Sequence, residues 1–327
     1  MTPSGGVAVI LAAGLGTRMR SGRAKVLHPI AGLPLITWAV RCVRPLVDRV
    51  VVVVGHERHA VMQALEGEGV AFAVQAEQHG TGHALLCAAP ELAGAARLIV
   101  MCGDMPGLAT ATLAALLDEH EARAASATVL TFRAQDPTGY GRVVRSPSGD
   151  VQSIVEHSQA SLEVRRIDEV NSGTYVFESA DTLPLLSRLP RHGQEVYLTD
   201  ALEMLRSEGK VVAAHEAPEE QCAGINTQAQ LAQAEQRWRA SRRADLMESG
   251  VTLVDPATLQ IDADVSIGVG SVIAGLVSLE GRTRIGARCD IGSLVRLRDV
   301  QVGDGSILRG PYTQEGGDIP AGARVGP

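Results

Sequence analysis

The chain has 327 residues, 45% of them hydrophobic and 20% charged, with a formal charge of -7 and a pI near 5.7. That size allows two domains with a sizeable core, and the acidic balance argues against a nucleic-acid binder, which needs a basic face to displace counterions. No apolar run approaches the ~20 residues of a membrane span, and MTPSGG lacks the basic flank and apolar region of a leader, which places the chain in the cytoplasm. Five scattered cysteines, with no paired metal spacing, read as small buried hydrophobes.

The first two-thirds alternates β-branched runs with helical patterns. Strands are predicted at 7–11, 50–54, 71–75, 97–101 and 127–132, and helices at 35–46, 57–66, 81–93 and 110–124. Such alternation implies an α/β domain over 1–226, with a Rossmann-like, mainly parallel sheet between helices. Residues 227–250 contain no proline, and Leu231, Ala234, Trp238 and Leu246 can share a face of one long linker helix that stops at Gly250.

From 251 to 327 an aliphatic recurs every six residues: Ile261, Ile267, Ile273, Leu279, Ile285, Ile291 and Leu297. Four residues after them stand Val265, Ser271, Val277, Thr283, Cys289 and Val295, all small or β-branched. This period fits neither a helix nor a plain strand; it fits a short left-handed parallel β-helix whose narrow interior admits one aliphatic per face. The register slips near Val302, and the abrupt stop after Val325 suggests either a shortened chain or a short natural homologue.

Gly14 and Gly16 follow the strand VAVIL directly, so the backbone can turn and present successive amides to an anion; an ordinary tight turn is the alternative. Arg18 and Lys25 lie just past the loop, where they can reach a triphosphate or remain solvated surface charges. Neither GxxxxGK[ST] nor GxGxxG matches, so this is a different phosphate loop. Asp104 follows RLIVMCG at a predicted strand's carboxyl end, a position suited to a Mg²⁺ ligand or to a helix cap.

LAAGLGTRM with KVLH at 25–28 resembles the signature of sugar-phosphate nucleotidylyltransferases. QAEQHGTGHA (75–84), CGDMP (102–106), TGYGRV (138–143), IVEH (154–157), NSGTY (171–175), EVYLTD (195–200) and GIN (224–226) narrow the resemblance to the bacterial bifunctional N-acetylglucosamine-1-phosphate uridyltransferase family. It extends over essentially the whole chain, including the long helix and six-residue repeat.

The resemblance implies transfer of uridylyl from UTP to N-acetylglucosamine 1-phosphate by in-line attack on the α-phosphate, giving UDP-N-acetylglucosamine and pyrophosphate. It carries over Leu11, Ala12, Ala13, Gly14 and Gly16 as the nucleotide loop, Arg18 and Lys25 as catalytic phosphate ligands, and Gln75, Gly80 and Thr81 as the uracil pocket. Thr81 also suits a helix cap. Gly141, Glu156 and Asn171 become sugar-binding positions, although Glu156 read alone is equally a solvated strand-end charge. Asp104 and Asn226 become the Mg²⁺ ligands. His28, His79, His83 and His157 are read as packing or hydrogen-bonding residues, because an anionic phosphate nucleophile needs no general base.

Two departures stand out: Ala24, where the family usually has proline, which leaves the loop before Lys25 less rigid, and Cys102, where an aromatic or other residue often sits near the sugar. The family's second activity, a coenzyme A-dependent acetyl transfer, uses later coils. At eighteen residues per coil, Ile261 to Pro327 supplies roughly four, so acetyl transfer is expected to be absent and a homotrimer to form through the β-helix. A thymidylyl- or adenylyltransferase acting on glucose 1-phosphate, and a non-catalytic sugar-nucleotide sensor, are the rival readings.

Overall fold

The computed structural model describes residues 5–147 and 149–326; Met1 to Ser4, read above for a leader, and Pro327 lie outside them. Two compact units are present, one of Met1–His28 with Pro34–Thr227, the other of Pro29–Leu33 with Gln228–Pro327. The second unit therefore takes in the long helix and also a five-residue piece of the amino-terminal third.

In chain order the elements are β1 (Gly6–Ala12), β2 (Pro29–Ile30), β3 (Leu33–Pro34), α1 (Leu35–Val43), β4 (Arg49–Val54), α2 (Arg58–Ala64), β5 (Ala71–Val74), α3 (Gly80–Ala88), β6 (Arg97–Cys102), α4 (Thr110–Ala122) and β7 (Ala127–Arg133). There follow β8 (Arg142–Arg145), β9 (Val151–Val155), β10 (Glu169–Glu178), α5 (Ser179–Leu186), α6 (Asp200–Ser207), β11 (Val212–Glu216), α7 (Glu219–Cys222) and α8 (Gln228–Glu248). The five predicted strands and four predicted helices are all present.

The main sheet of the first unit runs β11-β7-β10-β6-β1-β4-β5, with β8 and β9 appended to β10. β1 is parallel to both β4 and β6, whereas β10 is antiparallel to both β6 and β7. Period-two side-chain alternation gives the sheet two apolar faces. Val7 and Val9 of β1 join Val51 and Val53 of β4 in one core with α3, α5 and α6. Ala8 and Ile10 join Val50 and Val52 in the other, with α1 and α4.

After β1 the chain moves outward to β4 and β5, then returns to place β6 on the opposite side of β1. Such a reversal opens a crevice at the strands' carboxyl ends. The glycine loop after β1 and Asp104 after β6 both lie there, their strands paired up to Leu11 and Cys102.

In the second unit α8 buries Leu246 and ends before Gly250, whose φ of +90° suits glycine at a helix stop. Ala31 donates its N–H to Glu235 of this helix at 2.8 Å and accepts from the N–H of Ala263 at 2.9 Å, which explains why Pro29–Leu33 belongs here.

Short parallel strands then stack in three sheets into the left-handed β-helix. Six of the seven aliphatic keys are fully buried and Ile267 is half-buried; the six small or β-branched positions are buried as well. Ile267 pairs with Ile285, eighteen residues on, but Ile285 pairs with Val302, seventeen on, so the slip removes one residue from one edge of the coil. Among the described residues, no helix is long and apolar enough to cross a membrane.

Candidate active site

A cavity of about 280 Å³ opens beside the carboxyl ends of β1 and β6, bordered by Ala12–Gly14, Lys25, Gln75, Gly80, Thr81 and Asp104. Its phosphate side is shaped by the two glycines in different ways. Gly16 has φ +60°, and a Cβ there would stand 2.6 Å from the Cβ of Lys25. A Cβ on Gly14 would meet no protein atom within 4 Å, so this position of the loop borders open space.

Lys25 begins a single 3₁₀ turn, Lys25–Leu27. Its Nζ donates to Asp104 Oδ2 and, at 3.1 Å, to Asn226 Oδ1, which also accepts from Arg18 at 2.8 Å. The Lys25 and Asp104 side chains are 19% and 12% exposed. Asn226 is brought in by a short return segment: the Ile225 N–H donates to the Asp104 carbonyl at 2.9 Å, and a Cβ on Gly224 would come within 3.2 Å of the Asp104 carboxylate. All four predicted phosphate and metal residues thus converge.

On the base side, Gln75 is 3% exposed, and its amide Nε2 lies 3.0 Å from both the Gly80 carbonyl and His83 Nδ1. Its donors are spent on the protein, leaving Oε1 as the acceptor for a ligand. Gly80 opens α3 with φ +91°, and a Cβ there would stand 2.5 Å from the Val196 carbonyl. The Thr81 hydroxyl caps no helix; it accepts the N–H of Leu198 at 3.0 Å, fastening the 195–198 segment to the cavity wall.

The sugar-side candidates form a second group. The Gly141 carbonyl accepts the N–H of Asn171 at 2.9 Å, and a Cβ on Gly141 would press within 2.9 Å of Ile154 Cγ2. Asn171 lies where β10 shifts register between Asn171 and Thr174. Its Nδ2 donates to the Tyr175 hydroxyl at 2.6 Å and its Oδ1 accepts from Gly173 N–H at 2.9 Å. Glu156 is no solvated strand-end charge: burial pushes its carboxyl above the usual range, opposed by the Thr199 hydroxyl donating to Oε1 at 3.2 Å.

Residues 8–218 match the family described as MobA-like NTP transferase domain. The bifunctional protein GlmU of Pelobacter propionicus is 42% identical over 326 residues, 98% of this chain and 71% of that protein. Those of an Exiguobacterium species and of Corynebacterium glutamicum are 43% and 44% identical over 98% and 92% of this chain. The chain belongs to the GlmU family. It is accordingly a nucleotidyltransferase.

Within this GlmU-family chain the two departures acquire physical content. Ala24 is not a loosened position: its N–H, which proline would lack, donates to Glu57 Oε2. Cys102 is half-buried in the cavity wall, and burial with the Asp104 charge pushes its thiol up to about 12, so it is a neutral wall group rather than a nucleophile. The cysteines are less uniform than predicted: Cys222 and Cys289 are buried, while Cys42, Cys87 and Cys102 are half-buried.

The four histidines of the motifs are hydrogen-bonded within the protein: His28 to Ser21, His79 to Glu77, His83 to Gln75 and His157 to Arg142. Tyr175, Leu198 and Thr199 lie inside sequence motifs that gave them no role, and Glu57 lies in none. The first three contact the predicted residues Asn171, Thr81 and Glu156, and Glu57 contacts Ala24, the residue before Lys25.

Proposed function

We propose that the chain transfers uridylyl from UTP to N-acetylglucosamine 1-phosphate, releasing pyrophosphate. The observation that carries this reading is the convergence of Arg18, Lys25, Asp104 and Asn226 beside a cavity with the buried Gln75 amide on its wall. The Gly14 amide and the cations Arg18 and Lys25 would hold the triphosphate, neutralising charge on the leaving pyrophosphate. Gln75 Oε1 would accept the uracil N3–H, and Gly80 would keep the wall close enough for the base to lie against backbone. Glu156, Asn171 and the Gly141 backbone would orient the sugar. A phosphate oxygen of the sugar forms the new bond to the α-phosphorus as the bond to the bridging oxygen of pyrophosphate breaks, and no proton has to be removed.

The donor set fits Mg²⁺. The Asp104 carboxylate and the Asn226 carbonyl are hard oxygens that both contact one Lys25 nitrogen, so they face a common point. With two protein oxygens, the remaining ligands would come from phosphate and water. Bound there, the ion would supply charge neutralisation between the two reacting phosphates.

A trimer formed through the β-helix belongs to the same proposed reading, supported by the exposed aliphatics Val269, Leu276 and Leu294 of that unit.

The test is pyrophosphate release from UTP, N-acetylglucosamine 1-phosphate and Mg²⁺, beside TTP and glucose 1-phosphate, with wild type and Asp104→Ala. Release that requires the first pair and Asp104 is expected. Turnover only with another pair moves the assignment to a sister reaction, and nucleotide binding without turnover in any combination makes the chain a sensor.

A further inference from the structure

Lys25 is carried by a loop, not by a strand, so its aim depends on what holds that loop. Several ties are internal: Leu27 N–H to the Ala24 carbonyl at 2.9 Å, His28 N–H to the Lys25 carbonyl at 3.2 Å, and the Ser21 hydroxyl to His28 Nε2 at 2.8 Å. They give the loop a shape, and Ala24 and Val26 pack it into the core with Ala8 and Ile10 of β1. At Ala24 the hydrogen bond from outside the loop comes from Glu57. Its Oε2 accepts the N–H of Ala24, the residue immediately before Lys25, from the turn between β4 and α2.

Three observations show that this contact is built. Ala24 is 1% exposed, so its amide is shut off from water and depends on a protein acceptor. Glu57 has φ +50° and ψ +34°, a left-handed conformation that a residue bearing a Cβ adopts against steric resistance. The same turn abuts the nucleotide loop, since a Cβ on Gly55 would stand 2.9 Å from the Cβ of Ala13. The turn that carries Glu57 therefore sets the nucleotide loop and the Lys25 loop together.

We propose that Glu57 is a positioning residue for Lys25, holding the Ala24 amide so that Lys25 Nζ stays directed at Asp104 and Asn226. The idea rests on the nucleotidyl-transfer reading for its kinetic consequence, although the contact itself does not. Proline at 24 offers a direct check, because the Ala24 φ of -54° lies in proline's range and proline has no N–H to be held.

The experiment is a cycle of Glu57→Ala, Glu57→Gln, Ala24→Pro and the Glu57→Ala/Ala24→Pro double variant in the full chain. Glu57→Ala should lower kcat for pyrophosphate release about tenfold or more, with KM for both substrates within about twofold, because a shift of well under 1 Å at a phosphate ligand suffices for that loss. Glu57→Gln, which keeps an acceptor oxygen, should stay within about threefold of wild type, and in the Ala24→Pro background Glu57→Ala should change kcat by less than about twofold. An equal loss in both backgrounds, or a lowered melting temperature with kcat unchanged, would overturn the proposal. Amide exchange over residues 21–27 gives the second readout: Glu57→Ala should speed exchange of the Ala24 amide at least about tenfold while α2 is unchanged. Absence of pyrophosphate release in wild type would sink the transfer reading alone; unchanged Ala24 exchange would sink the role of Glu57 whether or not the chain turns over.

Discussion

Lys25 and Asp104, 79 residues apart in sequence, form an ion pair at the meeting of two parallel strand ends, and both side chains are mostly buried. Each is the other's main compensation for lost hydration. Replacing Lys25 by Met removes a proposed phosphate ligand and leaves the 8%-exposed Asp104 without its cation. We expect kcat to fall about 100-fold or more and stability to fall by about 2 kcal/mol. Pyrophosphate release and urea midpoints measure the two, and turnover within about threefold of wild type would remove Lys25 from the chemistry.

Glu156 sets binding against stability. Burial raises its carboxyl pKa, so the folded state favours the protonated form; the favourable contribution is full below the ordinary pKa of 4.5 and is lost as pH rises through the raised folded value. Burial disfavours the charged form, a cost that fits the proposed role of Glu156 as an acceptor for sugar hydroxyls. Glu156→Gln should therefore melt a few degrees higher at neutral pH, while KM for the sugar phosphate rises about tenfold through loss of a charged acceptor. A lower melting temperature, or an unchanged KM, contradicts this assignment.

The β-helix carries a titratable group of the opposite kind. Glu280 accepts from Arg296 at 2.7 and 3.0 Å, from Ser278 at 2.8 Å and from Arg298, and the Arg296 hydrogen bonds hold its carboxyl down at about 2. Its folded pKa is depressed, so its stabilisation is complete above the ordinary 4.5 and disappears as pH falls through about 2. Urea midpoints of the second unit's transition should drop across that window in wild type and drop less in Glu280→Gln. Parallel pH profiles for the two proteins would show that the cluster contributes nothing.

Much of this was legible from residue order because it rests on local rules. β4 is a run of valines that fills both faces of a sheet, and the six-residue keys fall inside the prism because the coil returns each sixth residue to an equivalent face. The glycine loop announced itself through Gly14 and Gly16 directly after β1.

The contacts that aim the predicted groups left no such mark. Thr81, read as part of the uracil pocket or as a helix cap, gave no sign that its hydroxyl would accept from Leu198, 117 residues later. Glu57 stands in the sequence only as the start of a predicted helix, with nothing to tie it to Ala24, and nothing in the sequence around Asn171 announced the shift of register or its hydrogen bond to Tyr175. Strands β8 to β10 escaped for a related reason. β10 carries Asn171, Ser172 and Gly173 at an irregular step, so its composition lacks the unbroken β-branched run that marked β4.

Ribosomal synthesis gives one of these long-range contacts a temporal meaning. Arg18 and Lys25 are made early, but Asn226, which accepts from both, emerges 208 residues after Arg18, when the main sheet has already been synthesised. A nascent chain that has exposed only β1 to β7 therefore presents two cations and one carboxylate with their carbonyl partner still missing. The cluster proposed to hold the phosphates and the metal should be completed late and abruptly during translation, on the return of a three-residue segment, Gly224 to Asn226, to a strand end that has been waiting for it.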